Sequence, residues 1–480
     1  MVTTMNKYKK LMGNTIIFGI GSFGAKFLGF FMTMLYTRCM TEAEYSTADL
    51  IYNTVNVLVP LVTFSMADAV IRFGMDGGYD PRKVYTGANV SVLLGMTVFM
   101  LFTPLLKLNS TIGSYVFLLY IYCYFSCFRQ MASQFVRARG YVKLFAVDGI
   151  LTVLVQVISN LILIGACKLG VTGYVVSFVV SDVCSLLFLT AVAGLYKYVD
   201  VFYIDKKIIG EMLRFSAPLI PTYLLWWVTS ASDRWFVVNM VGATENGIYS
   251  IAYKLPTLLM LVTTMFYQAW QMSSIEERNS RGLGKFYETV FGAYSSLLYI
   301  AAAGLIMLCK PLTLILTGNS DTSRFSEAQT FTPILIIAMI FQCFCQFLSS
   351  VYTTKKRSVN SCATAFVAAV VNIILNFLLI PQYGVWGAAI ATAAAYFACF
   401  AVRLFDARKY IFFRVDYFRF LVNTVIILFM CVITAKHPDV YWVGLILGFI
   451  VCLVYNFDAV VKTLRKLLSR GSTKKENAAE

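Results

Sequence analysis

Histidine and charged residues are scarce in this chain of 480 residues. His437 is the only histidine, and Asp, Glu, Lys and Arg together make up 13% of the sequence. A single imidazole excludes metal clusters built from several histidines and any catalytic triad that needs more than one such ring. The charged fraction is about half of the roughly 25% found in soluble globular domains, which excludes a large water-exposed surface.

The parts of an ATP-hydrolysing or sugar-transferring enzyme are also missing. No G-x-x-x-x-G-K-[ST] loop occurs, so this chain is not expected to hydrolyse ATP. The longest connectors between apolar stretches, near 196–213 and 310–326, are too short for a catalytic domain. The 12 cysteines lie mostly inside apolar stretches and show no metal-binding Cys/His spacing. We therefore expect neither an enzyme nor a bound cofactor or metal.

Apolar residues dominate what is present. Hydrophobic residues make up 59% of the 480 positions, or about 283 residues. One spanning helix needs about 20 mainly apolar residues, so this content suffices for roughly fourteen spans. The formal charge of +16, from 40 basic and 24 acidic residues, favours topology signals in short connectors over nucleic-acid binding. The composition predicts an all-α integral membrane protein with no nucleic-acid partner.

Fourteen apolar stretches of helical length can be placed along the chain. The first follows Lys7, Lys9 and Lys10 directly and lacks a cleavage site, so we expect it to remain as an uncleaved helix. The predicted spans are 13–36, 47–70, 84–106, 112–136, 143–166, 171–195, 214–241, 247–271, 285–309, 327–353, 358–380, 384–402, 420–435 and 440–458.

The distribution of basic residues predicts the orientation. With both termini on the same side, about 30 Lys and Arg fall on that side. The opposite side holds about six. This bias of about five to one predicts that both termini are cytoplasmic. The basic residues on the other side are Arg38, Lys107, Lys168, Lys310, Arg324 and Lys436.

An internal repeat divides the chain. Gly170-Val-Thr-Gly173 opens the sixth span and Gly384-Val-Trp-Gly387 opens the twelfth, while Glu44-Tyr-Ser-Thr-Ala48 is echoed by Gly247-Ile-Tyr-Ser-Ile-Ala252. Six spans separate the equivalents, which predicts a parallel repeat about an axis along the membrane normal. The predicted domains are an N-lobe of helices 1–6 at 1–200, a C-lobe of helices 7–12 at 201–410, helices 13 and 14 at 411–460, and a basic cytoplasmic tail at 461–480.

Several longer stretches resemble a known family in their order and spacing. They are similar to the polysaccharide flippase branch of the multidrug/oligosaccharidyl-lipid/polysaccharide exporter superfamily, over nearly the whole chain. The stretches are Arg214-Phe-Ser-Ala-Pro-Leu-Ile-Pro221, Ser232-Asp-Arg-Trp235, Gly247-Ile-Tyr-Ser-Ile-Ala-Tyr-Lys254, Phe266-Tyr-Gln-Ala-Trp270, and Asn372 to Ala391 with its Asn376, Pro381, Gly384 and Gly387.

This resemblance implies a substrate and a mechanism. It implies a transporter in the bacterial cytoplasmic membrane that flips undecaprenyl-diphosphate-linked oligosaccharide for O-antigen, capsule or teichoic-acid-like polymers. A cationic cavity between two lobes is expected to alternate its opening across the membrane. Membrane lipids, a polysaccharide polymerase and glycosyltransferases are the partners to expect. The alternatives are a multidrug or cation antiporter, a flippase of the peptidoglycan lipid precursor, and a membrane scaffold that does not transport.

Basic residues inside the spans are the candidate substrate contacts. Lys26, Arg129, Arg234 and Lys254 lie within predicted spans, and Arg72 stands at the inner end of the second. Each charge costs at least about 2.5–3.5 kcal/mol at the centre of a lipid-facing helix, so these residues should face a bundle interior or a wet cavity. Guanidinium groups bind phosphate oxygens through two parallel hydrogen bonds, which suits a diphosphate.

Acidic residues leave a second interpretation open. Asp233 adjoins Arg234, and Asp68 lies four residues before Arg72 on one helical face, so both pairs could be locally neutralised structural groups. Arg129 is near enough to the inner interface to snorkel towards it. Asp182, in the middle of the sixth span, is a candidate for binding a coupling proton or Na⁺, with hydrogen bonding between helices as the alternative.

Four prolines interrupt the same helices that carry basic residues. Pro60 lies in the second span, Pro218 and Pro221 in the seventh, and Pro256 in the eighth. Proline is common in membrane helices, so a hinge role and an ordinary kink are both open.

Overall fold

The computed structural model describes residues 32–76, 78–104, 113–276, 282–318, 324–355, 357–436 and 442–458. All regular structure in these ranges is helical. Helices satisfy their own backbone N–H and C=O groups, which is required where no water is present to do so. The predicted all-α membrane architecture is confirmed.

The first half of the chain forms helices close to the predicted spans, with one break and one addition. They are α1 (Glu42–Val62), α2 (Met66–Gly74), α3 (Pro81–Met100), α4 (Val116–Ala138), α5 (Val142–Asn160), α6 (Gly170–Ala193), α7 (Lys206–Ser216) and α8 (Ile220–Met240).

The second half continues in the same way. Its helices are α9 (Ala243–Ala252), α10 (Thr257–Glu276), α11 (Leu283–Met307), α12 (Cys309–Thr317), α13 (Ala328–Thr354), α14 (Ser358–Tyr383), α15 (Val385–Arg408), α16 (Tyr417–Lys436) and α17 (Trp442–Asp458).

Two kinds of long helix occur in the described ranges. Seven are long and apolar enough to cross a membrane, namely α5, with the helical turn Leu161–Ala166 that extends it, α6, α11, α13, α14, α15 and α16; the bent pair α1–α2 is a further candidate. The helices α3, α4, α8 and α10 also have 20 or more residues but are more polar. The chain is a multi-pass membrane protein. Its span count of fourteen and the side of its termini stay predictions, since most of the first span and the tail at 461–480 lie outside the described residues.

The chain forms two compact units. The first comprises Met1–Trp227, Ala243–Gly247 and Leu316–Gly318, and the second comprises Val228–Gly242, Ile248–Ile315 and Asn319–Glu480. The predicted boundaries at 200, 410 and 460, and the axis of the repeat, stay predictions.

The predicted second span, 47–70, is divided into α1 and α2 close to Pro60, one of the prolines that interrupt the predicted spans. The axes of α1 and α2 differ by 52°. Pro60 lies near the end of α1, and Phe64 and Ser65 adopt left-handed backbone conformations with φ of 50° and 53°. A Cβ atom at Gly95 of α3 would lie 1.8 Å from the carbonyl oxygen of Val62, so only glycine allows α3 to approach the break this closely.

The first glycines of the two Gly-Val-x-Gly motifs share a positive φ. Gly170 and Gly384 have φ of +53° and +56°, a region that favours glycine, and each stands at the start of a helix. A Cβ at Gly173 would lie 3.1 Å from the carbonyl oxygen of Leu163, and one at Gly387 would lie 2.4 Å from that of Leu379. In both motifs the first glycine makes the turn and the second allows close packing on the preceding helix.

The connector predicted at 196–213 contains an additional helix, α7. Asp205 caps it by accepting hydrogen bonds from the backbone N–H groups of Lys207 and Ile208 at 3.0 and 3.4 Å. Lys83 donates to the same carboxylate at 2.9 Å, which, with the capping bonds, holds the pKa of Asp205 below its usual range. Tyr79 donates to Glu211 of α7 at 2.9 Å, and this bond raises the pKa of Tyr79. Polar contacts thus fasten α7 to α3 and the loop before it.

Aromatic side chains fill much of the second unit. Trp270 of α10 stacks on Phe347 of α13 with ring centroids 5.0 Å apart, and its indole N–H donates to Ser350 at 2.9 Å. Tyr287 of α11 packs edge-on against Trp270 at 4.9 Å. The Phe266 to Trp270 motif that carries part of the family resemblance is therefore a packing element of this core.

Candidate functional site

A polar cavity of about 420 Å³ lies within the first unit, beside the break between α1 and α2. Along α4 it runs from Ser126 to Arg137, about 16 Å at 1.5 Å per residue. This size falls within the range of ligand pockets. The lining residues are Asn56, Val59, Pro60, Thr63, Ser65, Ala67, Asp68, Ile71, Ser126, Arg129, Gln130, Gln134, Arg137 and Tyr223.

Arg129 of α4 connects three helices at the wall of this cavity. Its Nη1 lies 3.4 Å from Oδ1 of Asp182 on α6, and its Nε donates to Oγ of Ser185 on α6 at 3.1 Å. Its Nη2 lies 3.4 Å from Oγ1 of Thr152 on α5. The Arg129 side chain is 29% exposed, against 5% for Asp182. The guanidinium group is therefore anchored by buried partners while part of it faces the cavity.

Two buried carboxylates lie behind Arg129. Ser126 donates to Oδ2 of Asp182 at 2.7 Å, and Ser185 donates to Oδ1 of Asp148. Both Ser126 and Arg129, which contact Asp182, belong to α4, so the interaction joins two helices. One guanidinium group thus faces a pair of acids, which leaves this network short of positive charge.

Asp68 and Arg72, one turn apart on α2, have different partners. Tyr223 of α8 donates to Oδ2 of Asp68 at 2.8 Å, and Asp68 lines the cavity. Arg72 instead lies 3.4 Å from Asp76, in a pair whose side chains are 61% and 40% exposed. The local pair proposed from sequence, Asp68 with Arg72, is replaced by Arg72 with Asp76.

Three further polar residues of the cavity follow Arg129 on α4. Gln130, Gln134 and Arg137 all line it, and the side-chain oxygens of both glutamines are buried without a hydrogen-bond partner among the described residues. Buried amide oxygens normally have partners, so these groups are available for a ligand or water. Helical spacing along α4 is the only sequence signal for these residues, and such spacing does not distinguish a cavity face from a packed one.

The second unit contains a closed cluster around Asp233 of α8. Its Oδ2 accepts hydrogen bonds from the hydroxyl of Tyr249, from that of Tyr253 at 3.0 Å and from Thr392 at 3.1 Å. Its Oδ1 accepts from the backbone N–H of Arg234 at 3.0 Å. Asp233 is fully buried, so three hydroxyl groups and one amide replace its hydration shell.

Arg234 belongs to the same closed cluster. Its guanidinium group lies over the Tyr253 ring, 4.7 Å from the centroid, and Nη1 donates to the carbonyl oxygen of Ser230 at 3.0 Å. Its Nη1 lies 3.8 Å from Oδ1 of Asp233, and the Arg234 side chain is 9% exposed. In this structure Arg234 is held by α8 itself and by an aromatic face.

Two lysines, Lys26 and Lys254, remain among the candidate substrate contacts. Lys254 is half-buried in the break between α9 and α10, next to Pro256. Lys26 lies outside the described residues. The roles predicted for both stay predictions.

A buried arginine was missed because the twelfth span was predicted to end at 402. Arg403 lies inside α15, fully buried, and donates to the carbonyl oxygen of Cys345 at 2.8 Å, to that of Ser361 at 3.0 Å and to Oγ1 of Thr364 at 2.8 Å. It was counted as a connector residue, which is wrong. Its backbone partners indicate a role in joining α13, α14 and α15.

Comparison with known sequences fits this architecture. The profile of the family described as polysaccharide biosynthesis protein matches residues 11–271, more than half of the chain. The chain belongs to the polysaccharide biosynthesis protein family. The family resemblance predicted from the sequence is thereby confirmed. A second profile, described as lipid II flippase MurJ, matches residues 271–415.

One curated relative and several solved structures extend the comparison. An uncharacterized membrane protein, YabM of Bacillus subtilis (strain 168), is 30% identical over 115 residues, which are 23% of this family member and 19% of that relative. The inward closed conformation of lipid II flippase MurJ has a TM-score of 0.69 at 16% identity, covering 94% of this chain and 100% of that one. An inward-facing multidrug resistance MATE family transporter of the MOP superfamily has a TM-score of 0.66 at 14% identity, covering 80% and 95%. This polysaccharide biosynthesis family member therefore has the fold of MurJ and MATE transporters.

Proposed function

We propose that this chain flips undecaprenyl-diphosphate-linked oligosaccharide across the bacterial cytoplasmic membrane for surface polysaccharide synthesis, by alternating access. Family membership and the MurJ-like fold support transport of a lipid-linked substrate. Glycosyltransferases that build the oligosaccharide and a polymerase that consumes it are the partners this proposal implies. The observation that carries the proposal is the charge of the cavity in the first unit.

That cavity has a net positive lining. Arg129 and Arg137 contribute two positive charges and Asp68 one negative charge, which leaves a formal charge of +1. A diphosphate needs several cations and benefits from the paired donors of guanidinium groups. A transported drug cation would meet two guanidinium groups on this lining, whereas Asp182 and Asp148 lie buried behind Arg129. The cavity charge therefore favours the diphosphate lipid over the multidrug or cation antiporter considered from the sequence.

Arg129 is suited to bind and release phosphate. Its ion pair with Asp182 is long, at 3.4 Å, and Ser126 also supports that carboxylate. A phosphate oxygen can therefore replace Asp182 at Nη1 while Ser126 still donates a hydrogen bond to the buried acid. The amide groups of Gln130 and Gln134 lie on the same cavity wall and can bond sugar hydroxyls or phosphate oxygens.

The pair Asp182 and Asp148 fits the coupling role predicted for Asp182. When phosphate draws Arg129 away, two nearby buried carboxylates lose their shared positive charge, and proton uptake restores the balance. Membrane potential supplies a driving force as well, since outward movement of one negative charge is favoured by about 2.3 kcal/mol per 100 mV with the cytoplasm negative.

A second candidate is transport of the peptidoglycan lipid precursor. The match of residues 271–415 to lipid II flippase MurJ favours it. Both substrates are lipid-linked, so the cavity charge does not separate them. Complementation experiments separate the two substrates. The oligosaccharide proposal predicts that this protein restores surface polymer in a strain that lacks its polysaccharide flippase. It predicts no rescue of a strain that is depleted of its lipid II flippase.

The test of the cavity uses variants of the C-terminal part of α4. Arg129→Gln and Arg137→Gln should each reduce surface polymer, at least tenfold for Arg129, with unchanged protein level in the membrane. Arg139→Gln is the matched control, because Arg139 is exposed at the same helix end and does not line the cavity. Normal export by the Arg129 and Arg137 variants would contradict the proposal.

A further inference from the structure

A second polar cavity, of about 320 Å³, lies within the second unit between α11 and α16. Its charged residues are Glu288 of α11, Arg414 and Asp416 in the connection before α16, and Arg419 in the first turn of α16. Helix ends of this kind lie at the membrane interface when the helix spans the bilayer. The charged end of this cavity therefore lies at headgroup depth.

The four charged groups do not neutralise one another. Glu288 accepts the backbone N–H of Arg414 at 3.3 Å, and Asp416 caps α16 by accepting the backbone N–H of Arg419 at 3.0 Å. Arg419 Nη2 donates to the carbonyl oxygen of Tyr455 at 2.7 Å. Within the described part of the chain, no ion pair joins either of these arginines to either acid. Two guanidinium groups and two carboxylates thus line one cavity with unused charge of both signs.

Apolar side chains lie beside the charged groups and along the outer face of α16, and the polar residues Ser295, Tyr299 and Asn423 complete the cavity lining. Phe291 and Phe420 line the cavity beside the charged groups. On α16, Leu421, Val425 and Phe429 are each more than half exposed. Exposed apolar side chains on a spanning helix contact acyl chains. A lipid fits this arrangement, because its charged headgroup can lie at the first turn of α16 and its hydrocarbon tails can lie along the apolar face of the same helix.

We propose that this cavity binds a zwitterionic aminophospholipid, with the headgroup of phosphatidylethanolamine. Arg414 and Arg419 receive the phosphate, and Glu288 and Asp416 receive the ammonium, which donates up to three hydrogen bonds. An anionic headgroup such as phosphatidylglycerol satisfies the arginines but leaves both acids without a cation. Phosphatidylcholine carries the positive charge but has no N–H donor. The site is separate from the cavity in the first unit and independent of the transported substrate.

The test measures lipid binding to the purified full-length protein by native mass spectrometry. Phosphatidylethanolamine, phosphatidylcholine and phosphatidylglycerol with identical acyl chains are added one at a time. Charge-assisted hydrogen bonds predict that phosphatidylethanolamine binds about tenfold more tightly than either of the others. Equal binding of the three lipids, or tighter binding of phosphatidylglycerol, would overturn the proposal.

Two variants separate the roles of the acids and the arginines. The double variant Glu288→Gln and Asp416→Asn keeps the shapes and the helix cap, and it should bring phosphatidylethanolamine to the level of phosphatidylcholine. Arg414→Gln should weaken the binding of all three lipids, because each of them carries a phosphate. Lys285→Gln is the control, because Lys285 is exposed on α11 and does not line the cavity. Retained selectivity in the double variant would refute the assignment of the ammonium site, and lipid-free melting temperatures identify any variant that fails to fold.

Discussion

Arg129 and Arg234 sit in clusters of similar composition but different accessibility. Each arginine has an aspartate and hydroxyl groups nearby. The Arg129 side chain is 29% exposed on the wall of a cavity, whereas that of Arg234 is 9% exposed beneath the Tyr253 ring. The same residue types thus form two different clusters. In the accessible one, Arg129 can exchange a protein partner for a ligand, whereas the cluster of Arg234 is closed.

This difference assigns different roles to the two acids. Asp182 has one serine and a long ion pair, so its arginine can leave at a moderate cost. Asp233 has three hydroxyl donors and a backbone amide, so it organises α8, α9 and α15 around itself. We therefore propose substrate binding for Arg129, and for Arg234 we favour the structural interpretation that the sequence left open.

The largest effect on folding is expected for Asp233→Ala. It removes the acceptor of three hydroxyl groups and leaves Arg234 without its nearby anion, so the free energy of unfolding should fall by about 3–5 kcal/mol. Melting temperature and membrane protein level measure this. Asp233→Asn should lose less, because the amide oxygen still accepts. If the Asp233→Ala protein is as stable as the wild type, the structural role of the Asp233 cluster is contradicted.

A smaller loss is expected for Thr392→Val, which keeps the shape of the side chain. It removes one of the three hydroxyl donors to Asp233 while the tyrosines remain. The free energy of unfolding should fall by about 1.5–3 kcal/mol, the range for a hydrogen bond to a charged group. Chemical denaturation in detergent provides the value. No change would mean that the tyrosines alone satisfy the carboxylate.

Ser126→Ala tests the cluster at the cavity. The hydroxyl that donates to Asp182 is lost, but water in the cavity can take its place. The free energy of unfolding should change by about 1 kcal/mol or less, while export falls because an exchanging water supports Asp182 less firmly than the fixed hydroxyl, so that Asp182 holds Arg129 more tightly. Surface polymer and melting temperature are measured together. A loss of stability as large as that of Thr392→Val would show that this cluster is closed as well.

The smallest effect concerns Asp205, a half-buried acid outside the spans. Its lowered pKa means that its contribution to stability is complete above the unfolded value of about 3.9. That contribution is lost as pH falls through the lowered pKa of the folded state. The melting temperatures of the wild type and Asp205→Asn should differ slightly at pH 6 and converge towards pH 3. A constant difference would mean that the carboxylate charge has no part in the cap.

Composition and spacing predicted most of the helices, because apolar length alone determines where a chain can cross a membrane. Pro60 indicated an interruption of the second span, but not the left-handed backbone at Phe64 and Ser65, because that conformation of two residues other than glycine depends on packing against Gly95. Charges in spans identified Arg129 and Asp182 as candidates. Their pairing, the exposure of Arg129 and the burial of Arg403 depend on how helices rotate and where they end, which periodicity alone does not fix.

The most direct test measures the affinity for undecaprenyl diphosphate of three purified proteins: the wild type, Arg129→Gln and Arg234→Gln. Relative to the wild type, Arg129→Gln should bind at least tenfold more weakly with little change in melting temperature, since a bidentate phosphate contact is lost. Arg234→Gln should bind within about twofold of the wild type but melt at a lower temperature, because its partners are buried. Weak binding by Arg234→Gln together with normal binding by Arg129→Gln would contradict the assignment of the two clusters.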